Sequence, residues 1–137
     1  MAVIAYPYFP DRLEDLHPPL VKDLVDLKHS GHHDCIAQMV RMVADLKNHG
    51  TDSRFFKGLG GPLVELKSRS RGGDKGGSRI YLFQGLEETF FLCRAECKHG
   101  NEADAVLLAD TAEIAAAYRK GLPIFPPREW RGRERNL

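Results

Sequence analysis

The chain has 137 residues, of which 42% are hydrophobic and 28% charged, and its formal net charge is +1. This length suits one domain with its own core, and the composition is that of an ordinary soluble globular protein. No apolar run approaches the roughly 20 residues that a membrane-spanning helix needs, and the N-terminus has neither a basic leader nor a secretory apolar core. We therefore expect a cytoplasmic protein with no membrane partner.

The first predicted elements are a short strand and two helices. Residues 3–6 could form a strand, which the prolines that follow would end. Pro19 fits the first position of a helix whose apolar stripe stops at Gly31. A second helix is expected over about 33–48, with Gly50 just past its end. Because the connection is short, the two helices should pack as an antiparallel hairpin.

The middle of the chain, residues 62–99, predicts a small sheet. Three short segments are predicted as strands, at residues 63–69, 79–84 and 89–95. Apolar and polar residues alternate in the first, and the second is apolar on both faces. A glycine-rich loop at 71–77 and a tight turn at 85–88 connect them. The loop lacks the residue order of a Walker A motif, and we expect no cofactor.

An alanine-rich stretch at 105–120 predicts a last helix, which Gly121 ends. The remaining residues, 122–137, are rich in proline and arginine, and we expect them to be disordered or ordered only against something else. The predicted organisation is therefore one domain over residues 1–121 and a tail over 122–137.

The three cysteines are Cys35, Cys93 and Cys97, a number that cannot fully pair within one chain and is far below that of a disulfide-stapled domain. We expect them to be reduced thiols. Cys93, Cys97 and His99 share one strand parity, but no Cys-x-x-Cys pair accompanies them. The expectation is therefore no metal.

Charge is distributed unevenly along the sequence. Residues 1–53 carry five basic and eight acidic groups, whereas residues 54–99 carry nine basic and five acidic groups. The basic groups of the predicted sheet are Lys67, Arg69, Arg71, Arg79, Arg94 and Lys98. This asymmetry predicts a polyanionic partner for the middle of the chain.

Antiparallel pairing could bring these cations together from three strands. Lys67, Arg69 and Arg71 share one face of the first strand, and Arg79 shares a face of the second with Tyr81. If these faces coincide on one open side, they form a cationic groove with an aromatic ring, as single-stranded RNA binding requires. The alternative is a solvated charged face without a ligand.

Four segments stand out along the chain, namely Leu63-Val64-Glu65-Leu66-Lys67, Ser78-Arg79-Ile80-Tyr81-Leu82-Phe83, Cys97-Lys98-His99 and Asp110-Thr111-Ala112-Glu113-Ile114. Together they resemble the RelE/HigB toxin superfamily of toxin-antitoxin systems, and in particular its phage-derived, HigB-like branch. The resemblance covers about residues 15–120. It departs from the family pattern at Ala112, where a proline is usual.

The resemblance implies an α+β, RelE-like fold, with an N-terminal helical hairpin packed on a small antiparallel sheet and a C-terminal helix. It implies a cognate antitoxin, of the helix-turn-helix type, and cleavage of mRNA on the ribosome by attack of the ribose 2′-hydroxyl on the adjacent phosphate. The alternative within the same fold is a non-catalytic protein that inhibits DNA gyrase or acts as a binding module.

The family's roles can be transferred to positions of this sequence. The implied catalytic residues are Arg79, Lys98, His99 and Glu65, and Lys67 takes the family's basic position at the strand end. The pattern of cations on the predicted sheet adds Arg69, Arg71, Tyr81 and Arg94 to Lys67 as RNA-binding residues. The Arg79 guanidinium would stabilise the charge that develops on the phosphate. His99 is the nearby group whose ordinary pKa lies near neutrality, which suits an acid or base. Glu65 is the other candidate base.

Overall fold

The structure is a computed structural model that describes residues 2–68, 77–98 and 103–127. Within these ranges the elements are β1 (Val3–Ala5), α1 (Pro19–His29), α2 (His33–His49), a 3₁₀ turn (Gly50–Asp52), β2 (Phe56–Gly58), β3 (Leu63–Lys67), β4 (Gly77–Gln84), β5 (Thr89–Lys98) and α3 (Ala105–Arg119). The α+β class expected from the sequence is therefore confirmed.

The five strands form one mixed sheet with the order β1-β5-β4-β3-β2. Strands β2 to β5 pair antiparallel, but β1 runs parallel to β5, with Val3 opposite Thr89 and Ala5 opposite Phe91. The expectation of an antiparallel sheet is wrong at this edge. Parallel neighbours require a long crossover, and α1 and α2 both lie between the two strands in the chain. The chain thus begins with a strand, and the helical hairpin follows it.

The helices begin and end close to their predicted positions. Pro19 is in the first turn of α1, where a backbone N–H would have no intrahelical partner. α2 ends at His49, and the next residue, Gly50, has a φ of +56°, which favours glycine. α3 follows Asp104, whose carboxylate accepts hydrogen bonds from the backbone N–H groups of Val106 and Leu107, at 2.9 and 3.1 Å.

Helices cover both faces of the sheet. On the hairpin face, α1 and α2 pack against the sheet through a core that includes Leu20, Met42, Leu46, Leu66, Leu82 and Leu92. On the opposite face, which we call the α3 face, the core includes Phe83, Phe91, Cys93, Ile114 and Ala117. Because successive strand residues alternate between faces, β4 directs Ile80 to the hairpin face and Arg79 and Tyr81 to the α3 face.

Residues 122–127 pack against the domain. Ile124 is buried, and its carbonyl oxygen accepts a hydrogen bond of 2.6 Å from the Tyr8 N–H. The Phe125 ring lies 6.2 Å from the Phe91 ring, centroid to centroid. The first residues of the predicted tail therefore belong to the core of the α3 face. The rest of that tail, residues 128–137, lies outside the described residues.

Candidate functional site

The strand registers align most of the predicted site residues in two neighbouring rows. In one row Lys67 on β3 lies opposite Arg79 on β4, which lies opposite Glu96 on β5. In the other row Glu65 lies opposite Tyr81, which lies opposite Arg94. Residues of one strand that are two positions apart share a face, so Arg79 and Tyr81 of β4 lie on the α3 face together with Glu65 of β3. The parity expected from the sequence therefore brings Glu65, Arg79 and Tyr81 together.

This part of the α3 face is not an open groove. The exposed fractions are 2% for Glu65, 1% for Arg79 and 0% for Tyr81. Glu65 lies between two cations, with Oε2 4.0 Å from Arg79 Nη1 and Oε1 3.8 Å from Lys57 Nζ. Buried charges are rare unless they are paired, and here opposite charges accompany each other. The expectation of a solvent-exposed cationic face is therefore not met at these three residues.

Tyr81 connects the sheet to the start of α3. Its hydroxyl donates a hydrogen bond to Glu96 and accepts one from the Asp104 N–H at 3.2 Å. Burial, followed by the hydrogen bond to Glu96, raises the pKa of Tyr81 to about 12. The phenol therefore stays protonated near neutral pH, and its ring is enclosed by protein instead of being available to stack on a base.

Arg94 joins the two helical layers across the sheet. Its Nε and Nη2 donate hydrogen bonds to the two carboxylate oxygens of Asp23 on α1, at 2.7 and 2.9 Å, and its Nη1 donates one to Asp110 on α3. Burial lowers the pKa of Arg94, but the hydrogen bonds and charges of Asp23 and Asp110 outweigh it and raise the pKa. The two carboxylates thus neutralise the guanidinium that the sequence offered as an RNA contact.

Two predicted cations lie at the end of the sheet where β3 and β5 finish and β4 begins, which we call the loop end. Lys67 is the last residue of β3, and Lys98, the last residue of β5, lies opposite Gly77. Both lysines are partly exposed. The predicted site residues Arg69, Arg71 and His99 lie outside the described residues.

A disulfide attaches α2 to the loop end. Cys35 in the first turn of α2 is bonded to Cys97 on β5, with their Cα atoms 6.0 Å apart. The expectation of reduced thiols is therefore wrong for these two residues, because the fold brings distant positions within the separation that a disulfide requires. Cys93 is a free, buried thiol, and burial raises its pKa well above the usual value.

A polar cluster next to the disulfide strengthens this attachment. Gln38 Oε1 lies 3.1 Å from the Ser68 hydroxyl and 2.8 Å from the Ser78 hydroxyl, and each hydroxyl can donate to it. Ser68 Oγ also accepts a hydrogen bond of 3.0 Å from the Ser78 N–H. The cluster therefore connects α2 to the ends of both β3 and β4.

Beside this cluster is a cleft of about 420 Å³ between α2 and the β2–β3 edge of the sheet. We call it the cationic cleft, and it is lined by Gln38, Arg41, Met42, Arg54, Phe55, Lys67 and Ser68. Sequence reasoning included Lys67 but missed Arg41 and Arg54. Their proximity depends on the pairing of the three-residue β2 with β3, for which the sequence provides no strong periodic signal.

Among the described residues, no group of three or more histidine, cysteine, aspartate or glutamate side chains could hold a metal ion. In the same part of the chain, no helix has the length and apolar character needed to cross a membrane.

No protein-family model matches the chain, and no curated protein matches it significantly.

Proposed function

We propose that this chain is a toxin of the RelE/HigB type that binds ribosome-associated mRNA and cleaves it. The observation that supports the proposal is the row in which Lys67 lies opposite Arg79, beside Glu65 and with Lys98 at the same end of the sheet. The proposed arrangement is RelE-like, in which the sheet carries the nucleic-acid site and the hairpin supports it from behind. The proposed partners are the mRNA, the ribosome and a cognate helix-turn-helix antitoxin.

The proposed reaction needs no covalent enzyme intermediate. A base removes the proton of the ribose 2′-hydroxyl, the oxygen attacks the adjacent phosphorus, and the bond to the 5′-oxygen breaks as that oxygen receives a proton. Arg79 is the proposed partner of the charge on the phosphate oxygens, and Glu65 and His99 are the proposed base and acid. Because Arg79 is 1% exposed, we propose that the phosphate reaches it from the loop end, where Lys67 and Lys98 are partly exposed.

Induced expression of variants tests this proposal. Lys98→Ala changes a partly exposed side chain and should relieve growth inhibition with the fold intact. Arg79→Ala should also relieve growth inhibition, and Arg79→Lys separates loss of the planar guanidinium from loss of a buried charge. Arg119→Ala, at the exposed end of α3, is the matched control and should remain toxic.

Cleavage of ribosome-bound message, mapped by primer extension, provides the direct measurement. Wild-type protein should generate new 5′ ends that are absent with Lys98→Ala. A wild-type protein that neither inhibits growth nor cuts the message refutes the endonuclease proposal.

The burial of Glu65, Arg79 and Tyr81 supports a second candidate function, a non-catalytic protein of the RelE/ParE fold. In this alternative the three residues stabilise the α3 face, and the chain inhibits DNA gyrase or acts as a binding module. A gyrase supercoiling assay distinguishes the two functions. Inhibition of supercoiling by wild-type protein, with no cleavage of message, supports the alternative.

A further inference from the structure

The cationic cleft contains more positive charge than its surroundings neutralise. Three of its lining residues are cationic, namely Arg41 on α2, Arg54 before β2 and Lys67 at the end of β3. Within residues 2–68, 77–98 and 103–127, none of these three side chains forms an ion pair with a carboxylate. The charges therefore remain available to an external anion.

Asp45, one helical turn after Arg41 on α2, is already engaged in local structure. The Asp45 carboxylate accepts hydrogen bonds from the Ser53 hydroxyl at 2.5 Å and from the Arg54 backbone N–H at 3.2 Å. The Arg54 guanidinium instead stacks over the Phe55 ring, with its carbon 4.7 Å from the ring centroid. This contact limits the positions that the Arg54 side chain can adopt, which lowers the entropic cost of binding a ligand.

Gln38 adds hydrogen-bond donors to the same lining. Its side-chain oxygen lies within hydrogen-bond distance of the two serine hydroxyls, either of which can donate to it. The amide nitrogen makes no hydrogen bond to the described residues, so its two N–H donors remain for a ligand. Two guanidinium groups, one ammonium group and this amide form a set of donors, which suits a phosphate group.

We propose that the cationic cleft binds a phosphate group of single-stranded RNA, with Arg41, Arg54 and Lys67 as its cationic contacts. The proposal rests on the proposed function, because it assigns a second contact region for the same RNA on the hairpin side of the loop end. The cleft volume of about 420 Å³ exceeds that of a phosphate alone and leaves room for ribose beside Met42 and Phe55. This region shares Lys67 with the row that contains Arg79, but Arg41 and Arg54 lie outside that row.

Salt-dependent binding tests the proposal. The probe is a fluorescein-labelled, single-stranded RNA oligonucleotide, and the readout is fluorescence anisotropy. Binding of single strands weakens with a slope of about −0.7 per neutralised phosphate in log K against log salt. Because the cleft is proposed to neutralise one phosphate, the triple variant Arg41→Gln/Arg54→Gln/Lys67→Gln should reduce the slope by about 0.7, so that wild-type protein loses roughly 3-fold more affinity than the variant between about 50 and 200 mM salt.

A matched triple variant provides the control for net charge. Arg12→Gln/Arg119→Gln/Lys28→Gln removes two arginines and one lysine from exposed positions that do not line the cleft. Its slope should stay within experimental error of wild type. An equal reduction in both triple variants would overturn the proposal, since it would show only an effect of overall charge. The single variant Arg41→Gln, at an exposed helical position, should weaken RNA binding at fixed salt by a smaller factor than the cleft triple variant does.

Competition separates the polymer from small anions. Inorganic phosphate and a ribonucleoside monophosphate are added against the labelled RNA at matched ionic strength. If neither anion displaces the RNA more than chloride does, the result supports a site for the RNA backbone. Displacement by inorganic phosphate at the affinity of the RNA would overturn the proposal in favour of a small-anion site.

The outcomes for the cleft and for the endonuclease are independent. Binding with the expected change in slope, but without cleavage of message, would refute the endonuclease and support the cleft. Cleavage of message with an unchanged slope in the cleft variant would refute the cleft and support the endonuclease.

Discussion

Arg94 shows how a charged residue of a strand can serve the fold instead of a ligand. It contacts Asp23 through two hydrogen bonds and Asp110 through a third, so one guanidinium satisfies carboxylates from α1 and α3. Removing one member of such a group leaves the remaining charges partly buried and unpaired, which costs more than the pair itself contributes. The same reasoning applies to Glu65 between Arg79 and Lys57.

The first prediction concerns Arg94→Gln. It should lower the free energy of unfolding by about 3 kcal/mol, because the side chains of Asp23 and Asp110, 12% and 27% exposed, then face each other without a cation. Urea unfolding followed by circular dichroism measures the change. Adding Asp110→Asn should recover part of the loss. The control Arg119→Gln should change stability by less than about 0.5 kcal/mol, and an effect as small for Arg94→Gln would contradict the structural role.

The second prediction concerns the pH dependence that Tyr81 confers. Its pKa of about 12 in the folded protein lies above the ordinary value of 10.0. Below pH 10 the phenol is protonated in both states and its contribution to stability is complete; as the pH rises from 10 to about 12, the unfolded chain ionises first and that contribution is lost. Tyr81→Phe should therefore be less stable at neutral pH, yet lose less stability than wild type over this alkaline range.

Urea unfolding of both proteins at several pH values between 9 and 12 provides the measurement, in the window given by the Tyr81 pKa. Comparing the two proteins separates the effect of Tyr81 ionisation from that of Tyr6, since burial also raises the pKa of Tyr6. Parallel stability curves for the two proteins would contradict the assignment.

At the scale of elements, the turn between β4 and β5 holds α3 in place. The Tyr118 hydroxyl of α3 accepts a hydrogen bond from the Leu86 N–H at 3.1 Å. A Cβ atom at Gly85 would overlap the Phe91 ring and lie 2.8 Å from Tyr118 Oη. The turn and the helix are therefore packed so closely that glycine is required for steric reasons.

Gly85→Ala should lower the free energy of unfolding by about 2 kcal/mol, since a methyl group added to a filled core displaces its neighbours. Thermal or urea unfolding measures the change. Gly58→Ala is the matched control, because a Cβ at Gly58 has no heavy atom within 4 Å among the neighbours considered, and it should leave stability nearly unchanged. Equal effects of the two substitutions would contradict the packing argument.

Local signals explain why the helices were predictable. Pro19, Gly50 and Asp104 each act on the backbone within one turn. Helix α1 begins at Pro19, α2 ends just before Gly50, and α3 begins just after Asp104. Strand β2 is different, because its three residues are defined by pairing with β3, as when Lys57 lies opposite Glu65. The sequence therefore predicted elements with strong local patterns and missed one that depends on a distant partner.

The candidate site was predictable in part for the same reason. Strand parity correctly indicated that Arg79 and Tyr81 share a face. Whether that face is exposed to solvent depends on where α3 packs. The local sequence pattern of β4 does not indicate the position of α3. The cationic cleft depends likewise on tertiary structure, since Arg41 and Arg54 come from a helix and from the segment before a strand.

At the scale of the whole molecule, the Cys35–Cys97 disulfide closes a loop between residues 62 positions apart. In the chain-entropy model, a cross-link over a loop of this length stabilises the folded state by about 4 kcal/mol. Reduction with dithiothreitol should therefore lower the urea midpoint of wild-type protein. It should have no effect on the double variant Cys35→Ser/Cys97→Ser.

Thiol titration under denaturing conditions checks the pairing itself. The oxidised chain should release one thiol, that of Cys93, and the reduced chain three. Three thiols in unreduced protein would show that the disulfide is absent.

The Asp23 carboxylate also affects strand pairing between copies of this protein. Strand β1 pairs with β5 only over Thr89–Phe91, so the later part of β5 forms an edge of the described sheet. At that edge the Asp23 carboxylate accepts a hydrogen bond of 2.9 Å from the Ala95 N–H. Unpaired edge groups invite intermolecular strand addition, and a carboxylate placed on one of them blocks it. The side chain that anchors Arg94 therefore also protects the protein from aggregation through its own sheet.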